Sequence, residues 1–246
     1  YLFRCKKILF YLLIIALVTS CTNNMPGMVL IPKGEFTMGI NPDQKVIQFM
    51  SDMTLARNAQ PAQKLYLKDF FIDKFEVTYE EFRLFKPILK YTITNSREPI
   101  RGVNWYEADA YCISVGKRLP TESEWEKAAR GTDERLFVWG SQFLKENSNF
   151  GNHISSIGSY AKDISIYGVV DMNGNVSEWT ATWYQPYKNS QLKDKLFGKQ
   201  VKVLRGGSFH KIPHGFMREF TMLPYRNFAP PNERFWDTGF RCAKSI

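Results

Sequence analysis

The spacing of hydrophobic and polar positions changes several times along this chain, and each change marks an element. Ile8 to Val18, "ILFYLLIIALV", is unbroken apolar sequence behind Arg4, Lys6 and Lys7. That is the length of a signal-peptide core and short of a membrane span, which needs about 20 residues. "MVLIPKGEFTMG" (28–39) combines an apolar run, a Pro-Lys-Gly turn and an alternating run, which predicts a hairpin. Residues 40–63 are polar and aperiodic and predict a loop. Three helix starts follow, at Thr78 with Glu81, Asn104 with Glu107, and Thr121 with Glu124. Each pair has capping-box spacing, in which the cap side chain takes the third backbone N–H and the glutamate returns to the cap's own N–H. Gly116 and Gly131 predict where the second and third helices stop. In the second helix Trp105, Ala108 and Cys112 share one face, so Cys112 is expected in the core. Beyond residue 132 the pattern breaks into loops and short strands, with a long loop at 184–200 and a strand at "VKVLRGG" (201–207).

Composition agrees with that broken pattern. Six Trp, twelve Tyr and nineteen Phe, with frequent glycine and proline, predict a loop-rich α+β domain whose rings pin irregular backbone. "VTSC" (18–21) resembles the bacterial lipobox, in which a cysteine behind small residues is acylated and becomes the mature N-terminus. We therefore expect a signal peptide at 1–20, a lipid on Cys21, a tether at 21–27 and one domain at 28–246. A plain secretory signal with an incidental cysteine is the alternative. The lipid would hold the protein extracytoplasmically on a bacterial membrane, in the periplasm or at the outer membrane. Without the leader's three cations the net charge falls from +9 to about +6. The remaining cations are scattered and no nucleic-acid motif is present, so no nucleic-acid partner is expected. Cys112 and Cys242 are left as the cysteines of the domain, and two readings are open for them: a bridge, or a pair of buried thiols.

Six stretches carry a family likeness. "GVNWYEADAYCISVGKRLPTESEWEKAARG" (102–131), "GVVDMNGNVSEWT" (168–180), "VLRGGSF" (203–209) and "GFRCA" (239–243) resemble, in order, the formylglycine-generating enzyme (sulfatase-modifying factor) family. "MVLIPKGEFTMG" and "FFIDKFEVTYEEF" (70–82) extend the resemblance over nearly the whole domain. It implies the FGE-sulfatase fold, which is α+β, related to C-type lectin domains and poor in regular secondary structure. By position it implies a Cys112–Cys242 disulfide. It also implies a structural calcium loop using side-chain oxygens of Asp171 and Glu178 and the carbonyls of Gly174 and Val176. A loop tied by its own hydrogen bonds, without metal, is the alternative. A second family calcium position would begin at Asn149 and Phe150, but the acidic residues that should complete it are missing between Gly151 and Ser156.

The activity the resemblance implies is oxidation of a sulfatase cysteine by O₂ at copper held on two thiolates just past Gly-Gly-Ser. In "RGGSFHKIPHGF" (205–216) those two positions are Lys211 and Phe216, and Ser208 cannot replace a thiolate on Cu(I). No copper is expected, and the reading is a non-oxidase binding or assembly module of the cell envelope, with a peptide or envelope protein as partner. The alternative is a periplasmic enzyme of the family that modifies a peptide or a metabolite. Ser208, His210 and His214 are the groove candidates. His210 and His214, with His153 as a third ligand, would suit another metal, but Pro213 argues against the helix that aligns such a pair. Arg205, Arg226 and Arg241 either meet a substrate carboxylate or pair internally with residues such as Glu178 and Asp237; internal pairing is expected.

Overall fold

A computed structural model describes residues 25–41, 53–87, 95–151, 153–210 and 218–246. The leader, Cys21, Lys211, His214 and Phe216 lie outside the described residues. Both strands expected at the start of the domain form, as β1 (Met28–Ile31) and β2 (Gly34–Met38). They do not make a hairpin. β1 pairs antiparallel with β4 (Phe70–Asp73), and β2 pairs antiparallel with β3 (Gln63–Leu67). The two apolar faces go to different clusters: Ile31 packs with Trp125 and Val138, whereas Phe36 and Met38 pack with Phe137 and Tyr187. The link between them is held by Lys127, whose Nζ donates to the carbonyls of Pro32 (2.7 Å) and Gly34 (3.0 Å). Within the expected loop at 40–63, a 3-10 helix spans Met53–Ala59.

The three helices start where their caps place them: α1 (Tyr79–Phe85), α2 (Trp105–Ser114) and α3 (Glu122–Arg130), each with both halves of its capping box. Gly116 and Gly131 follow α2 and α3 at φ +71° and +72°, the left-handed region that glycine enters without strain. The remaining strands are β5 (Ser177–Trp183), β6 (Lys202–Arg205), β7 (Asn227–Ala229), β8 (Thr238–Gly239) and β9 (Ala243–Ser245). β1 and β9 flank β4, so the first and last strands close on the same neighbour. A second sheet runs β7-β6-β5-β8, with β5 and β8 parallel. The architecture is α+β and rich in loops, as the sequence predicts.

Cys112 on α2 and Cys242 before β9 form a disulfide, both sulfurs fully buried among Phe82, Tyr111, Trp179 and Phe240. α3 is the surprise. "ESEWEKAAR" looks half solvated, yet Glu122, Glu126, Lys127 and Arg130 are as buried as Trp125 and Ala128. The helix packs against β2, β5 and β6, and its buried carboxylates are paired with arginines inside the protein. Glu126 binds Arg205 at 2.5 Å, Arg130 at 3.1 Å and the Gly39 N–H at 2.7 Å. Glu122 binds Arg226 through Nε (2.5 Å) and Nη2 (3.0 Å). Such charges are tolerated in a dry interior only when paired and fully hydrogen-bonded.

Candidate functional site

β6 leads directly into the "RGGSFH" segment, and two glycines let it press against the 171–178 loop. Gly206 sits at φ +78°. A Cβ on Gly207 would fall 2.6 Å from the Asn173 carbonyl and 2.8 Å from the Thr221 methyl. Backbone hydrogen bonds close the contact, from Gly207 N–H to Asn173 O (3.1 Å) and from Phe209 N–H to Asn175 O (2.8 Å). Two stretches more than thirty residues apart in sequence thus form one platform. Ser208 is buried and donates to Asp237 Oδ2 at 2.8 Å, while its Oγ accepts from the His210 N–H at 3.4 Å. That hydroxyl is engaged in holding the loop.

The face beyond Ser208 is aromatic. The His210 ring stands edge-on to Trp236 at 3.8 Å, and Phe209 meets the same indole at 5.3 Å. Arg101 lies over Phe209 and donates to the Trp236 carbonyl at 3.4 Å. Trp236 is 41% exposed, and the buried His210 Nδ1 has no hydrogen-bond partner among the described residues. The half-open indole provides stacking area beside the imidazole. His153 is exposed and spends its carbonyl on Asn149 Nδ2. Among the described residues no group of three or more His, Cys, Asp or Glu is placed to hold a metal ion.

Both carboxylates of the loop expected to bind calcium have partners within the protein. Glu178 accepts from Arg241 Nε at 2.8 and 3.0 Å, from Arg241 Nη2 at 2.7 Å and from Trp125 Nε1 at 2.9 Å. Those four bonds use the acceptor capacity of both oxygens. Asp171, held at φ +57°, accepts from the Gly158 N–H at 2.6 Å. Gly174 is pressed onto Ser148 and Asn149, where a Cβ would fall 2.4 Å from the serine oxygen. Glu76, which sequence reasoning passed over, takes Asn175 Nδ2 (2.8 Å) and the Val176 N–H (3.1 Å). Asp163 takes the N–H groups of Met172 and Asn173 and the Ser148 hydroxyl.

Arg241 pairs with Glu178, and Glu76 and Asp171 lie within its field, while Asp163 is buried close to Asp171. Burial, with Asp171 and Glu178 nearby, pushes the Glu76 carboxyl well above its usual range. Burial carries Asp163 up to about 7 and Asp171 up to about 6. Of the four donors named from the resemblance, Glu178 is paired with Arg241 and Asp171 accepts from the Gly158 N–H, so a calcium ion here would share the Glu178 carboxylate with that guanidinium; no step below uses one. Copper on thiolates does not fit. Cys112 and Cys242 are joined to each other, and Ser208 is bonded to Asp237.

Of the three arginines, Arg241 meets Glu178, but Arg205 and Arg226 pair with Glu126 and Glu122 on α3. Asp237, considered as an arginine partner, serves Ser208. The signal that could have found these pairs was an acidic i, i+4 pair on a short helix opposite unexplained arginines.

The family model for the sulfatase-modifying factor enzyme 1-like domain matches residues 16–246. The chain belongs to this FGE-sulfatase family. A mouse protein named inactive C-alpha-formylglycine-generating enzyme 2 is 28% identical over 286 residues, covering 89% of this chain and 86% of the relative. YfmG of Bacillus subtilis is 29% identical over 284 residues, but there this FGE-sulfatase chain spans only 54% of the relative's length. Among solved structures, PvdO from Pseudomonas aeruginosa superimposes with a TM-score of 0.69 at 23% identity, over 89% of this chain and 94% of that one. That likeness shows the FGE-sulfatase fold alone.

Proposed function

We propose that this FGE-sulfatase protein is a lipid-anchored, extracytoplasmic module that binds a peptide or envelope protein and does not oxidise cysteine. One observation carries the reading: the two cysteines of the fold are consumed in the Cys112–Cys242 bridge, and the positions where the resemblance expects catalytic thiols are Lys211 and Phe216. The mouse relative named as an inactive enzyme supports it. Trp236 and His210, backed by the buried Phe209 ring, supply the binding face. The anchor is the lipid on Cys21, and replacing that residue with alanine removes incorporation of a labelled lipid precursor.

The decisive experiment incubates the purified protein, loaded with Cu(I), in air with a cysteine peptide of the sulfatase type. The expected mass spectrum shows the cysteine unchanged; conversion to the aldehyde refutes the proposal. A second reading, an extracytoplasmic enzyme acting on a peptide or metabolite, draws on the unpartnered His210 Nδ1 beside Trp236. One copper or iron per purified chain, lost in His210→Ala, would favour it.

A further inference from the structure

A second groove, built from other segments than the Ser208–His210 face, opens between the turn at Arg57–Pro61 and the loop at Asn189–Lys193, with a volume of about 640 Å³. One wall is fastened from behind, to the segment that leads into the other, by one buried residue. Arg226 donates from Nη1 to the Asn58 carbonyl (2.6 Å) and from Nη2 to the Gln185 carbonyl (3.1 Å), while Glu122 holds its guanidinium. Asn58 returns a hydrogen bond to the Arg226 carbonyl at 3.0 Å. The Tyr187 ring lies beneath the guanidinium at 4.2 Å and against Gly39, where a Cβ would come within 2.7 Å of it. One wall and the root of the other are thus tied together before any ligand arrives, which lowers the ordering penalty of binding.

The mouth of this groove is cationic. Arg57 and Lys193 are exposed and have no ion-pair partner among the described residues. The acidic residue beside them, Asp194, turns back into its own loop to accept from the Leu196 N–H (2.9 Å) and the Tyr184 hydroxyl (3.4 Å). Lys188, Lys195 and Lys199 in the same loop add to the positive field. The same groove is lined by the amide residues Gln60 and Asn189 and by the apolar Pro61 and Leu192.

We propose that this groove binds an acidic, extended peptide segment of a partner protein. Carboxylates meet Arg57 and Lys193, main-chain groups pair with the amides, and an apolar side chain lies on Pro61 and Leu192. A lone phosphate would need donors converging on one small cradle, whereas this groove is large, open and partly apolar. The inference goes beyond the reading of the chain as a binding module and does not depend on the chemistry at Ser208–His210.

The test uses fluorescence anisotropy with a labelled heptapeptide alternating Glu and Leu, and a Lys/Leu peptide as its counterpart. The Glu/Leu peptide is expected to bind, more weakly as salt is raised, and the Lys/Leu peptide not to bind. Arg57→Glu/Lys193→Glu should weaken binding about tenfold or more, whereas Lys33→Glu/Lys162→Glu, equal in charge and also exposed, should leave it within about twofold. Equal losses in the two double variants would mean unspecific attraction to a basic protein and would overturn the proposal. So would failure of the Glu/Leu peptide to bind the wild type at millimolar concentration. Trp236→Ala, on the other face, should keep the binding whether or not the cysteine-oxidation assay bears out the function proposed above.

Discussion

Opening the Cys112–Cys242 disulfide should be the most damaging covalent change available to this fold. The bridge joins residues 130 positions apart, so it closes more than half of the chain into one loop. In the chain-entropy treatment a loop of that size lowers the entropy of the unfolded state by about 17 cal/mol/K, or about 5 kcal/mol at 25 °C. A domain of this kind has about 5–15 kcal/mol of stability in all. At a urea dependence of about 2–3 kcal/mol/M, loss of the bridge moves the unfolding midpoint down by about 2 M. Both sulfurs are fully buried, so the reduced sample has to be prepared by unfolding in reductant and refolding along the urea series. The same titration on Cys112→Ala/Cys242→Ala separates the cross-link from the chemistry of free thiols. The slope carries an independent signature, because a chain released from its loop expands and exposes more surface, steepening the urea dependence. Coincident midpoints and slopes for bridged and reduced protein would refute the argument.

Two further outcomes follow from buried charges. Glu126→Gln keeps the volume but leaves Arg205 and Arg130 short of a counter-charge in a dry site, and should cost about 3–5 kcal/mol in urea unfolding; a loss below about 1 kcal/mol would mean water reaches the helix. Calcium added to chelator-treated protein should leave the melting temperature unchanged, because Arg241 already holds Glu178. A site with calcium at a hundred times its Kd would add about 2.7 kcal/mol, so a saturable rise of several degrees would show that the loop takes the ion after all.

The parts of this protein that depend on neighbours in sequence were legible in the sequence. A capping box needs only four residues, and Thr78, Asn104 and Thr121 each start a helix. The i, i+7 relation of Trp105 and Cys112 turned Cys112 to the core, and the ordered motifs, through the family resemblance, named its partner. What a strand pairs with is a different kind of fact. β1 and β2 carry turn chemistry between them that suits a hairpin, yet each buries its apolar face against a different cluster, and Lys127 takes the carbonyls of the link. Lys202 likewise reads as an ordinary strand lysine, but it lies 3.9 Å from both the Trp105 and Trp183 rings, which come from α2 and β5.

Charge was the least legible property. A run such as "ESEWEKAAR" carries the composition of a solvated helix, and only tertiary structure brings Arg205 and Arg226 within reach and removes the water. The same holds for the 171–178 loop, where Arg241, arriving from the C-terminal segment, fills the Glu178 end of the expected calcium set. By itself the sequence determined the family, the helix starts and the missing thiols, because each is a matter of residue identity at fixed short spacing. The tertiary structure alone decided which charges neutralise one another and where two walls meet to leave a cationic groove, because desolvation and pairing depend on what distant segments bring together in space.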